Sequence, residues 1–162
     1  MLTIIGCGNL NRSDDAVGVI IAQRLQQYLA QHPHPNVCVY DCGTAGMEVM
    51  FQARGSTKLI IIDASSSGSE PGAVFKVPGK ELEALPESSY NLHDFRWDHA
   101  LVAGRKIFKE DFPEDVTVYL IEAENLGFGL ELSHPVRYSA DCVFEQLLQI
   151  IHETPKRKEV KY

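Results

Sequence analysis

Four acidic residues and one histidine stand where this chain could do chemistry. Asp14 and Asp15 are adjacent in "IIGCGNLNRSDDAVGV" (residues 4–19), where an apolar strand pattern passes through a Gly-Cys-Gly turn into a helical pattern. Asp41 closes the run "VCVYD", Asp63 closes "KLIIID", and His93 lies in the polar stretch "PESSYNLHDFR". A glycine-rich turn between a strand and a helix commonly holds a phosphate on free backbone amides. The dinucleotide-binding form of that turn needs a third glycine where this chain has Asn11, and two carboxylates would repel a pyrophosphate. Asp41 still imitates the acid that holds a ribose hydroxyl, so a nucleotide-binding module stands as an alternative.

A cation suits these residues in a different way. Asp15, Asp63 and His93 offer two carboxylates and an imidazole, a donor set for a divalent metal ion. Each also has a plain structural use. Asp15 fits as a first-turn acid favoured by the helix dipole, Asp63 as a strand-end cap, and His93 as an ordinary loop histidine. No local motif such as His-Glu-x-x-His fixes their geometry. Nucleophiles are weaker candidates. Ser65, Ser66 and Ser67 lack the G-x-S-x-G elbow and are expected to form a flexible turn. Cys42 could meet His93, and His99 on a later helix could support the site or belong to the core. Cys7, Cys38, Cys42 and Cys142 form no C-x-x-C pair. Cys38 fits a small buried hydrophobe, and a disulfide framework is not expected.

The elements that must position these groups alternate between strand and helix. Strands are expected at 2–5, 37–41, 58–64, 72–77 and 116–123, with 72–77 at an edge because Pro78 follows. Helical spacing runs from Asp14 to Gln31 with Ser13 as its N-cap, and from Thr44, as a cap, through Phe51 to Gly55. Further helices are expected over 97–108, with Ala100, Leu101, Ile107 and Phe108 towards the core, and over 135–152. Residues 86–96 fit a loop. This order implies a single α/β domain over 1–152, a twisted, mostly parallel five-stranded sheet with helices on both faces. Sites in such sheets form beyond the carboxyl ends of the strands, where Gly6–Asn9, Asp41–Thr44 and Asp63–Ser65 leave.

With 162 residues, 44% of them hydrophobic, the chain can bury a core without staples. Its net charge is −7, while "TPKRKEVKY" at the end is net basic and fits a flexible tail over 153–162. An acidic body argues against nucleic acid, and no apolar stretch is long enough to span a membrane. The N-terminus has neither a basic n-region nor a cleavage site, so a cytoplasmic location is expected.

Taken together, these segments resemble a known family. "GCGNLNRSDDAVG" resembles the opening of the [NiFe]-hydrogenase maturation endopeptidases, and "DCGTAGMEV" is similar to their D-G-G-T-x-G segment. "LIIIDA" resembles their central strand and "GLELSHPV" their entry to the last helix. The region "NLHDFRWDHAL" resembles the branch serving bidirectional, NAD-linked hydrogenases. Cys42 departs from the pattern, standing where the family has a glycine. The resemblance implies a cytoplasmic protease that removes the C-terminal extension of a hydrogenase large-subunit precursor after nickel insertion. It implies Asp15, Asp63 and His93 as metal-binding positions that read the precursor's nickel, for which another divalent metal could substitute in vitro. Asp14 is then a neighbour that tunes charge, and Asp41 or a carboxylate of the metal set is the general base. A monomer is expected. A precursor-binding chaperone without catalysis is the remaining alternative.

Overall fold

The computed structural model describes residues 1–84 and 96–156. His93, most of the expected 86–96 loop and the end of the basic tail therefore lie outside the described residues. Five strands form one sheet in the order β2-β1-β3-β5-β4: β1 (Leu2–Cys7), β2 (Val37–Gly43), β3 (Lys58–Ser65), β4 (Val74–Pro78) and β5 (Asp115–Glu122). All pairs are parallel except β4 with β5. The β4 strand is thus an antiparallel edge, and Pro78 sits at its end without breaking an interior ladder.

Alternation along the strands sorts the side chains into two cores. Leu2, Ile4, Ile60, Ile62 and Ile121 face α1 (Val17–Gln31) and α5 (His134–Glu153). Ile5, Leu59, Ile61 and Val118 face α2 (Gly46–Ala53) and α4 (Trp97–Phe108). The result is a sheet between two helical layers. The β3 strand lies in the middle and is buried along its apolar run, which explains its unbroken isoleucines. From β1 the chain winds through α1 to β2, then returns through α2 on the opposite face to β3. Right-handed crossovers demand that change of face when the direction of winding reverses. The reversal leaves a crevice between the carboxyl ends of β1 and β3.

Several local expectations are corrected. Ser13 does not cap α1. It lies in a 3-10 turn (Ser13–Ala16) with φ +48°, and its hydroxyl donates to Gly127 O at 3.0 Å. Thr44 caps nothing, since Ala45 precedes α2 with no side-chain cap. Ile107 is 62% exposed, because Trp97, Ala100, Leu101 and Gly104 are the residues of α4 that turn inward. Cys38 is half-buried, as its strand β2 forms an edge, whereas Cys7 and Cys42 are buried. A short helix α3 (Gly79–Glu83), not anticipated from the pattern, follows β4.

Glycines bring α1 onto the strands. A methyl group at Gly18 would overlap the carbonyl oxygens of Ile62 and Cys7, and one at Gly6 would overlap Gly18 O and the Ala22 side chain. Alanine is intrinsically the better helix former by about 1 kcal/mol, so propensity alone favours Gly18→Ala. Overpacking against backbone typically costs about 1–3 kcal/mol and reverses the sign. Urea denaturation of Gly18→Ala is expected to show a net loss of stability; a gain would show that the helix does not need this approach.

Candidate active site at the carboxyl ends of β1 and β3

The crevice at the winding reversal is an open cleft of about 570 Å³ whose lining includes Cys7, Asp15, Asp63, Arg96, Trp97 and Leu126. Asp15 reaches it from the 3-10 turn, and Asp63 from the end of the central strand. Asp41 lies two residues before the end of β2 and is not among the lining residues. Its carboxylate accepts from Gly43 N–H at 2.9 Å and from Gln23 Nε2 at 3.1 Å. The structure therefore brings two of the predicted residues to one cleft and keeps the third acid in its own turn. Among the described residues no group of three potential ligands is assembled.

The turn is not built for phosphate. Gly8 N–H donates to Gly43 O at 2.9 Å, Asn9 N–H to the Asp15 carboxylate at 2.9 Å, and Asn11 N–H to Asn9 Oδ1 at 2.9 Å. These amides, which a phosphate would need, are already taken. Gly8, at φ +140°, has Asp15 O so close that a side chain there would overlap it. The glycines serve close packing, and Asp15 itself occupies the anion position.

Asp63 is only 6% exposed. One of its oxygens accepts from Trp97 Nε1 at 2.7 Å and lies 3.5 Å from Arg96 Nη2, and the other accepts from Ala64 N–H at 2.8 Å. Burial pushes its carboxyl from about 3.8 up to about 6. The Trp97 hydrogen bond, the Arg96 charge and the Ala64 amide oppose that rise, and the Asp15 charge adds to it. The displacement corresponds to about 3 kcal/mol between protonation states, so this carboxyl changes state near neutral pH. Because the folded value lies above the unfolded one, its contribution to stability is full below about 4 and is lost as pH rises through about 6.

No activated nucleophile lines the cleft among the described residues. Burial, then the charges of Asp63 and Cys42, raise the Cys7 thiol well above its ordinary range, and burial pushes Cys42 to about 11. Both stay protonated, the opposite of a nucleophilic cysteine. His99 belongs to the start of α4, where its Nδ1 accepts from Arg96 N–H at 3.4 Å.

Two further carboxylates hold the walls. Asp14 is fully buried and accepts from Glu124 N–H (2.9 Å), Asn125 N–H (3.0 Å), Ser133 N–H (2.7 Å) and Ser133 Oγ (2.8 Å). It is an anchor for the 124–133 loop, so its expected role as a charge-tuning neighbour is corrected. Glu122, 3% exposed at the end of β5, accepts from Ser65 Oγ, Ser67 N–H, Ser67 Oγ and Gly68 N–H at 2.8–3.1 Å. Burial raises its carboxyl, but the donors of Ser67, Ser65 and Gly68 outweigh that and set it below its ordinary value. The serine run is therefore a pinned turn rather than the flexible one expected. Sequence reasoning missed Glu122 and Trp97 as partners of the site. The one signal for Glu122 was an acid at the end of an otherwise apolar strand.

A three-layer α/β protein with an acidic cleft at its winding reversal is the class these features define. The chain belongs to the hydrogenase maturation protease family, whose pattern it matches over residues 19–150, and it is accordingly a peptidase of hydrogenase maturation. It is 29% identical over 154 residues to the hydrogenase 2 maturation protease of Escherichia coli K12, covering 94% of this chain and 92% of that one. The solved structure of the E. coli hydrogenase maturating endopeptidase HybD superposes with a TM-score of 0.77 at 29% identity, over 94% of this chain and 92% of the other. The [NiFe] hydrogenase maturation protease HycI of Thermococcus kodakarensis, at 20% identity, shares the fold, with a TM-score of 0.74 over 93% and 92% of the two chains. No described helix is long and apolar enough to cross a membrane.

Two measurements test this geometry. Asp14→Asn is expected to cost about 3 kcal/mol in chemical denaturation, because a buried amide cannot accept from the four donors that the carboxylate takes. A neutral result would remove the anchor. Carboxyl carbon NMR is expected to show Asp63 titrating near 6, with the midpoint lowered by Asp15→Asn and raised by Trp97→Phe.

Proposed function

We propose that this chain removes the C-terminal extension of a [NiFe]-hydrogenase large-subunit precursor, in the cytoplasm, after nickel has been inserted. Asp15, Asp63 and His93 would contact the nickel that the precursor carries, so that only a loaded precursor docks productively. The nickel belongs to the substrate, and another divalent ion of similar preference would substitute in vitro. The observation that carries the proposal is that two carboxylates from different elements line one cleft, while both cysteines of that region are held protonated.

The residues divide the work by position. Asp15 is half-buried with one oxygen committed to Asn9 N–H, which fixes its direction. Asp63 is oriented by Trp97 and Ala64. Arg96 follows His93 by three residues in the sequence, and Arg96 and Trp97 line the cleft together with Asp15 and Asp63. A water attacking the scissile carbonyl needs a base within hydrogen-bond reach. Asp63 or Asp15 is better placed for that than Asp41, which does not line the cleft.

The test is mass spectrometry of a nickel-loaded large-subunit precursor incubated with the purified chain. The wild type is expected to shorten the precursor only when nickel is present. Asp15→Asn, Asp63→Asn and His93→Ala should each slow the cut by at least a hundredfold with the fold intact by circular dichroism. Full-rate cutting by His93→Ala would overturn the reading. A metal must displace the proton from Asp63 before binding it, so cleavage should fall as pH drops through about 6. A rate independent of pH between 5 and 7 would exclude Asp63 from the contact.

A further inference from the structure

Among the described residues, Phe128 (85%) and Leu130 (78%) are the most exposed large apolar side chains. Exposed apolar residues on surface loops are ordinary when they stand singly. These two share a loop that is fixed from below. Asp14 takes the four donors at Glu124, Asn125 and Ser133, and Ser13 Oγ donates to Gly127 O. Ser13 N–H donates to Gly129 O at 2.9 Å, and Gly129 N–H returns to Asn11 O at 3.0 Å. The 124–133 loop and the turn after β1 are thereby zipped into one platform. Leu10, 43% exposed, stands on the turn side of it, and the Arg12 guanidinium lies 4.9 Å over the Phe128 ring.

The platform borders the cleft, because Leu126 of the same loop lines it. A cleft of about 570 Å³ is the size that takes a small molecule or a few residues of peptide. Specific recognition of a folded protein needs roughly 800 Å² on each partner, far more than such a cleft supplies. The additional surface must adjoin the cleft, and aromatic, leucine and arginine side chains held rigidly beside it lose little entropy on contact. We propose that Leu10, Phe128 and Leu130 form a docking surface for the folded body of the protein substrate, which they hold while its chain end enters between Asp15 and Asp63. The inference rests on the cleft being the cutting site, as argued under Proposed function.

The test uses a nickel-loaded [NiFe]-hydrogenase large-subunit precursor from the source organism. The double variant Phe128→Ser, Leu130→Ser is expected to keep the wild-type melting temperature, raise KM at least tenfold and leave kcat within twofold. A photoreactive phenylalanine analogue at position 128 should crosslink to the precursor, whether or not cutting follows. An unchanged KM, a loss confined to kcat, or crosslinking only to a second copy of this chain would overturn the proposal. Failure of the cleft reading is seen separately, as full-rate cutting by the Asp63→Asn and His93→Ala variants with the rim intact.

Discussion

The approach of the α1 backbone to the carboxyl ends of β1 and β3 is the constraint on which the rest depends. Gly6, Gly8 and Gly18 leave no room for side chains between helix and sheet, so the 3-10 turn that starts the helix is set down directly at the winding reversal. Asp15 is carried to the cleft by that placement, and its carboxylate takes the Asn9 amide. Small residues that would suggest a phosphate loop serve here to close a gap that a phosphate would otherwise fill. The chain puts its own anion in the anion position, and that residue lines the cleft.

Acidic residues build this site at two depths. Asp14 and Glu122 are buried and saturated by backbone amides and hydroxyls, with which they fix the 124–133 loop and the 65–68 turn. Buried carboxylates satisfied this fully are structural members, since losing one strands several donors at once. Asp15 and Asp63 are left with coordination to spare. Asp63 pays for its burial with a carboxyl near 6, and only Trp97, Arg96 and the Ala64 amide keep it from rising further. A group held so close to its switching point changes protonation state with small changes in the charge around it.

The two cores divide the same labour. Helices α1 and α5 on one face and α2 and α4 on the other clamp β1 and β3 between them, and the strand ends become the rigid floor of the cleft. Loops above a fixed floor can vary without disturbing it. That separation explains how the structure of HycI from Thermococcus kodakarensis, 20% identical, retains the fold.

The sequence by itself determined the architecture. The isoleucine run of β3, Pro78 closing β4 and the spacing of α1 and α5 are local patterns, and patterns of period two and 3.6 survive any tertiary context that buries one face. It also determined that Asp15 at the start of the first helix and Asp63 at the end of the central strand lie near the reversal, because topology follows from element order. Tertiary structure alone decided between neighbours. Asp14 and Asp15 have the same chemistry and the same helix-start position, yet one points into the 124–133 loop and the other into the cleft. Ser13 has every property of a cap and is drawn instead to Gly127 O. Ile107 fits the apolar stripe of α4 and faces outward. For Asp14 and Ser13 the partner lies far along the chain, and no local energy distinguishes the alternatives until the fold brings the two segments together.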